Sequence, residues 1–239
     1  MVLTPVTPLA YIIGSGIIAI AIGDTVYIRS LSFLDVSRAY PIAQSTFPIL
    51  TMIVAVLFLG EPFTWFTGVG AFLVVLGVYL IATSGRLSPI PAEKGKISWK
   101  GVALALTAAV AWTMGAVCLK LGVTDMDAFV AAAIRIPVSA VILTLFSLSQ
   151  NRKRTFRLRH YGLRNMLLAA GTGILTYGVA SVCYVTAMQL IGAGKTVLLT
   201  AVAPLFILPS SIFILKEKPT RCAIAGTLIC VAGVCLVSI

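Results

Sequence analysis

The sequence predicts an all-α membrane protein of about eight transmembrane helices, arranged as an inverted-repeat bundle of three helices plus five. Three observations lead there. Hydrophobic residues fill 59% of the 239 positions and charged ones only 10%, too little charge for a water-facing surface, where roughly 25% is usual. The apolar residues come in blocks of about 20, the length that crosses roughly 30 Å of hydrocarbon. A segment of the first half also recurs in the second half at one constant offset.

Only helices and closed barrels satisfy their backbone in lipid, and the blocks lack the period-two alternation of a barrel strand. Spans are expected over residues 8–31, 36–59, 63–83, 99–121, 127–149, 164–190, 193–215 and 219–238. The first is long, lacks a basic leader and runs straight into another span, so it reads as a retained helix rather than a cleaved signal. It carries Asp24 and Tyr27. The second carries Tyr40, Gln44 and a mid-span Pro48, and the third Gly70 and Gly77. Trp112 lies in the fourth span and Arg135 in the fifth. The sixth holds Tyr177, Ser181 and Tyr184, the seventh Thr196, Thr200 and Pro204, and the eighth Gly226 and Gly233. The longest breaks, 84–98 and 150–163, are too short for a soluble domain.

The net charge of +11 is unevenly placed. Of 18 cations, 15 flank one set of alternate breaks: Arg29, Arg38, Arg86, Lys94, Lys96, Lys100, Arg152, Lys153, Arg154, Arg157, Arg159, Arg164, Lys216, Lys218 and Arg221. Lys120 and Lys195 belong to the other set, and Arg135 lies within a span. Such asymmetry is the positive-inside signal. It puts the break around Asn151–Arg159 in the cytoplasm and, with an even number of spans, both termini outside. The basic run there can touch anionic headgroups, and nucleic-acid binding is not expected. The expected location is a cell membrane, prokaryotic inner or plasma membrane, with the chain crossing it many times.

Catalysis and metal binding find no support. Cys118, Cys183, Cys222, Cys230 and Cys235 fall in or beside spans with no CxxC pair, as small apolar packing residues do. Gly192-Ala193-Gly194-Lys195-Thr196 imitates the tail of a phosphate-binding loop, but that loop needs glycine where Gln189 stands and a preceding strand. No cofactor and no metal is expected, and the chain is not read as an enzyme.

The repeat is the most informative pattern. Pro48, Glu61, Thr64, Gly70 and Gly77 recur as Pro204, Glu217, Thr220, Gly226 and Gly233, each 156 residues later. A mid-span proline frees backbone groups, Glu-x-x-Thr sits where polar side chains finish helix ends, and glycines seven apart let helices approach closely. Five spans separate the copies, and an odd number turns the second upside down. Inverted repeats place substrate near the midplane at their interface.

On these residues, with Gly60-Glu61, Gly77-Val78, Lys216-Glu217, Ala111-Trp112 and Arg135, the chain resembles the drug/metabolite transporter superfamily, in particular its EamA-type domain. The resemblance implies a ten-helix carrier of two five-helix repeats, moving metabolites, amino acids or drugs, with both termini cytoplasmic; the charge count argues for the reverse orientation. Set beside that pattern, residues 1–84 read as a first repeat of three helices that lacks its two opening ones, and 99–239 as a complete second repeat of five. Expected partners are the lipid bilayer and a small-molecule substrate. A homo-oligomer, or a partner supplying two helices, stays open.

Polar residues inside a membrane are costly and tend to face a cavity or a partner. Tyr40 and Gln44, one turn apart, map by the offset onto Thr196 and Thr200. Tyr177, Ser181 and Tyr184 follow i, i+4, i+7 spacing, and Tyr27 maps onto Tyr184 across a one-residue gap. With mid-span Trp112 these nine are the expected cavity lining, packing or interhelical bonding being the alternative. Asp24 and Arg135 are the clearly intramembrane charges. They could neutralise each other, Arg135 could reach past Asp127 to the surface, and Asp24 could couple protons. Glu61 and Glu217 read as turn and interface residues. The functional expectation is a secondary transporter working by alternating access, with a non-transporting subunit or truncated carrier as the alternative.

Overall fold

The computed structural model describes residues 6–83, 98–124, 126–151, 162–203 and 221–237. These form seven helical elements: α1 (Val6–Ser30), α2 (Val36–Phe58), α3 (Trp65–Thr83), α4 (Trp99–Gly122), α5 (Ala128–Asn151), α6 (Leu163–Thr200) and α7 (Arg221–Val237). Five contain stretches long and apolar enough to cross a membrane, and α3 and α7 are shorter apolar helices. Gly192, at φ 86° and ψ 174°, breaks α6 into two limbs, 163–191 and 193–200, where the sequence predicts the turn between the sixth and seventh spans. Pro204, Glu217 and Thr220 lie outside the described residues.

Apolar side chains face outward along these helices: Leu57 is 69% exposed, Phe72 66% and Leu145 61%. Lipid rather than water must cover them. Trp65 and Trp99 stand exposed at the first positions of α3 and α4, where an indole meets the headgroup layer.

Small residues hold the bundle together, because in lipid helices associate by close packing rather than by the hydrophobic effect. Helix α4 offers a face of small buried residues, Gly101, Ala105, Ala108, Gly115 and Gly122, on which Gly101 meets Leu34 just past α1 and Gly115 and Gly122 meet α1 itself. A Cβ added to Gly115 would lie 2.5 Å from the Ala19 Cβ, and one on Gly122 2.7 Å from Ile12. Rising numbers on α4 meet falling numbers on α1, so the two run antiparallel.

The repeat is visible in space. Gly70 of α3 packs on Gly233 of α7, and Gly77 on Gly226; an added Cβ on Gly70 or Gly77 would approach the opposite carbonyl to 2.7 and 2.6 Å. Helix α3 therefore runs antiparallel to α7, its own equivalent 156 residues on. Helix α2 is likewise antiparallel to its equivalent, the second limb of α6: Glu61 meets residues 193 and 194, while Met52 packs further along with Leu198. The first and sixth spans correspond too. Each contains a π-helical stretch, Gly16–Asp24 and Ile174–Ala180, at nearly the same place in the repeat.

Candidate functional site

A cavity of about 330 Å³ opens where α1, α2, α4, α5 and both limbs of α6 converge. Its wall takes Ala19, Ile20 and Asp24 from α1, Gln44 and Phe47 from α2, Trp112 and Ala116 from α4, Arg135 from α5, and Tyr184 and Thr200 from α6. That volume lies at the small end of the range for ligand sites, and a largely apolar wall with a few convergent polar groups fits one.

Each polar group arrives by a local device. Asp24 closes the π-helical stretch of α1, whose wider turn shifts the face that follows it. Gly23 beside it leaves room for an indole: an added Cβ would stand 2.7 Å from Trp112 Cδ1. Trp112 uses that room to donate from Nε1 to Asp24 Oδ1 at 2.8 Å. Its ring is gripped by Tyr27 at 5.4 Å and 47° and by Phe47 at 5.8 Å and 64°, within the range of favourable aromatic pairs. Pro48 has no N–H for the Gln44 carbonyl one turn earlier, so a backbone acceptor is freed at the residue that reaches the cavity.

Arg135 crosses onto α1 at Gly16, where an added Cβ would lie 3.1 Å from Arg135 Cγ and 2.5 Å from Ser139 Oγ. The arginine is 8% exposed, and its Nε has no hydrogen-bond partner. Arg135 and Asp24 line the same cavity and attract each other electrostatically, but among the described residues they form no ion pair, and Asp24 Oδ1 accepts from Trp112. Nor does Arg135 reach Asp127, which accepts from the N–H groups of Phe129 and Val130 and so caps α5.

Of the nine expected lining residues, Gln44, Trp112, Tyr184 and Thr200 share this wall with both intramembrane charges, and Tyr27 joins through its tilted ring contact with Trp112. Four stand elsewhere. Tyr177 is 43% exposed and lines an apolar groove between α5 and α6 with Phe129, Pro137 and Val182. Thr196 is buried, donates to the Gly192 carbonyl and lines a separate apolar pocket behind Tyr184. Ser181 is buried outside the cavity wall, and Tyr40 is half-buried outside it. Gly16, Gly23 and Phe47 were not legible as site residues; a Gly-Asp pair inside a span was the signal for Gly23.

At the end of the bundle that carries Lys120, hydrogen bonds tie the described helices together. Glu61 accepts from the N–H groups of Ala193 at 2.5 Å and Gly194 at 3.0 Å, so it caps the second limb of α6 from the far end of α2. Lys120 Nζ donates to the Met188 carbonyl at 2.8 Å. Gln189 Nε2 donates to the carbonyls of Val123 and Met126 at 2.8 and 2.6 Å. Beneath these bonds lies the largest buried cluster, with Ile12, Ala55, Leu119, Val123, Met126, Met188 and Ala193. At the same turn Thr64 accepts from the Thr67 N–H and finishes the start of α3.

Residues 2–83 and 99–239 match the EamA-like transporter family. The chain belongs to that family. Among curated proteins, an uncharacterized transporter of Archaeoglobus fulgidus is 24% identical over 222 residues, 93% of this chain and 73% of the relative. The uncharacterized transporters YvbV and YoaV of Bacillus subtilis are 26% and 32% identical over 194 and 111 residues, covering 80% and 45% of this chain. Those matches span 59% and 35% of the two Bacillus proteins. A solved structure superposes with a TM-score of 0.75 over 98% of this chain and 87% of its own, at 15% identity, which speaks to the fold. This EamA-like chain is thus a multi-pass, all-helical membrane protein of a transporter family.

Proposed function

We propose that the chain is a secondary carrier moving a small metabolite, amino acid or drug-like molecule by alternating access, as two inverted units, residues 1–84 and 99–239, rock about the cavity. The observation that carries the reading is that the cavity wall draws on both units: Asp24, Gln44 and Phe47 come from the first, and Trp112, Arg135, Tyr184 and Thr200 from the second. Relative motion of the units therefore changes the site itself. Support also comes from the hydrogen bonds at the Lys120 end, where Glu61 of one unit holds the backbone of the other. In this reading that contact belongs to the state closed on that face, and it parts when the face opens. No segment resembles an ATP site, so an ion gradient or substrate exchange drives the cycle.

The test is flux. Purified chain in sealed vesicles, offered a broad panel of radiolabelled metabolites under a proton gradient, accumulates at least one in a saturable way. Tracer levels equal to those of empty vesicles across the panel refute the carrier reading.

A second reading, a membrane subunit working with further helices, has one observation behind it. The first span is clothed by α4 and α5, whereas residues 163–180 of its equivalent, the sixth, contain no buried position. Co-purification of a second helical chain that changes flux would favour it.

A further inference from the structure

We propose that Arg135 is an oxyanion subsite: the molecule held in the cavity presents a carboxylate or phosphate to its guanidinium. The inference deepens the carrier reading and rests on taking this cavity as the substrate site.

Arg135 is 8% exposed and its Nε is unpartnered. A guanidinium carries five donors and no acceptor, and it stays charged. Placed in a membrane interior without acceptors it is costly, so such a residue marks a ligand or a partner. Among the described residues no protein acceptor is hydrogen-bonded to the guanidinium. Asp24 shares the cavity and attracts Arg135 across it, but makes no ion pair with it, and Asp24 Oδ1 accepts from Trp112. Ser139 Oγ donates to the Arg135 backbone carbonyl at 2.8 Å. The other polar side chains on the wall, Gln44, Tyr184 and Thr200, are neutral, and the Thr200 hydroxyl already donates to the Val197 carbonyl.

The ligand's remaining features follow from the same wall. Phe47 and Trp112 offer aromatic surface, which suits an apolar or aromatic body. Asp24 in the same cavity repels a second negative charge, so the ligand carries one anionic group. A planar, bidentate fork matches carboxylate and phosphate oxygens equally well, and the experiment separates the two.

Trp112 reports on the site. The protein has three tryptophans, and Trp65 and Trp99 are 78% and 81% exposed; replacing both by phenylalanine leaves Trp112 as the sole indole. The full chain in maltoside micelles, which contain no oxyanion, is titrated at constant ionic strength with iodide or with uncharged acrylamide. Iodide is expected to quench Trp112 several-fold better than in R135Q, while acrylamide quenches both alike. Benzoate or phenyl phosphate relieves the iodide quenching and benzamide does not; relief by benzoate alone assigns a carboxylate, by phenyl phosphate alone a phosphate. D24N keeps an acceptor for Trp112 but removes the repelling charge, so iodide quenching rises; should R135Q not fold, the comparison of benzoate with benzamide in the chain that keeps Arg135 decides the matter.

Equal iodide quenching with and without Arg135, relief by benzamide equal to that by benzoate, or no rise in D24N overturns the proposal. These readouts need no transport. Absence of flux with them intact removes the carrier reading alone, and flux of a neutral solute that is unchanged in R135Q removes the subsite alone.

Discussion

Cys230 touches its own repeat-equivalent: its Sγ donates to the carbonyl of Val74, 156 residues earlier, at 3.9 Å. Both residues are fully buried. When equivalent positions of two copies meet, the axis relating them passes between the two residues. Here the helices are antiparallel, so that axis lies across them, as it must for copies inverted in a membrane. Gly70 on Gly233 and Gly77 on Gly226 are then one contact written twice.

That symmetry sets a stability prediction. Gly77→Ala and Gly226→Ala each push a methyl against the partner's carbonyl, at 2.6 and 2.8 Å. Each should cost about 1–3 kcal/mol, the usual range for overpacking, and the two costs should be similar. Gly14→Ala, with nothing within 4 Å of its added Cβ, should be close to neutral. Thermal unfolding in detergent measures all three; a neutral Gly77→Ala would contradict the close approach.

The Asp24–Trp112 bond gives a second. Trp112→Phe keeps the aromatic contact and strands the Asp24 carboxylate, whereas Asp24→Asn keeps an acceptor. Interhelical hydrogen bonds in membranes average about 0.6 kcal/mol, but a buried carboxylate left unpaired costs more, about 1–3 kcal/mol. Trp112→Phe should thus lower the melting temperature more than Asp24→Asn does. The opposite order would mean that the bond does little.

Glu61 ties the end of α2 to the second limb of α6. Glu61→Ala leaves two N–H groups without that acceptor and weakens the tie at the Lys120 end. In a chain freed of native cysteines, a Thr200→Cys reporter in the cavity should then react several-fold faster with an impermeant maleimide applied from that face. Unchanged labelling would show that the contact does not govern access.

Much of this was legible in the sequence, and the failures have physical causes. The helices of the described residues followed from block length, and the contact of α3 with α7 from the glycine pairs at one offset; both rest on local chemistry. Gly70, Gly77, Gly226 and Gly233 announced a close contact because glycine in a span has few other uses. Tyr177 lies on the groove between α5 and α6 rather than on the cavity wall, while still interacting electrostatically with Asp24 and Arg135. It sits inside the π-helical stretch Ile174–Ala180, where turns are wider than the 3.6 residues that i, i+4, i+7 spacing assumes. Nothing in those residues marks a π turn. Thr200 reaches the cavity wall and Thr196 does not, and each bonds its own backbone, a habit of threonine in helices. The grip of Glu61 on residues 193 and 194 joins positions 132 and 133 apart, and no local pattern encodes such a pairing.

Inversion of the two copies in one membrane can be tested without a substrate. Trp65 and Arg221 occupy the same position in the two copies, at the exposed starts of α3 and α7. Trp65→Cys and Arg221→Cys, each made singly in a chain without other cysteines, are offered an impermeant maleimide from one side of sealed, oriented vesicles. One is expected to be labelled from outside and the other only after the inside is opened. Labelling of both from the same side would contradict the inversion.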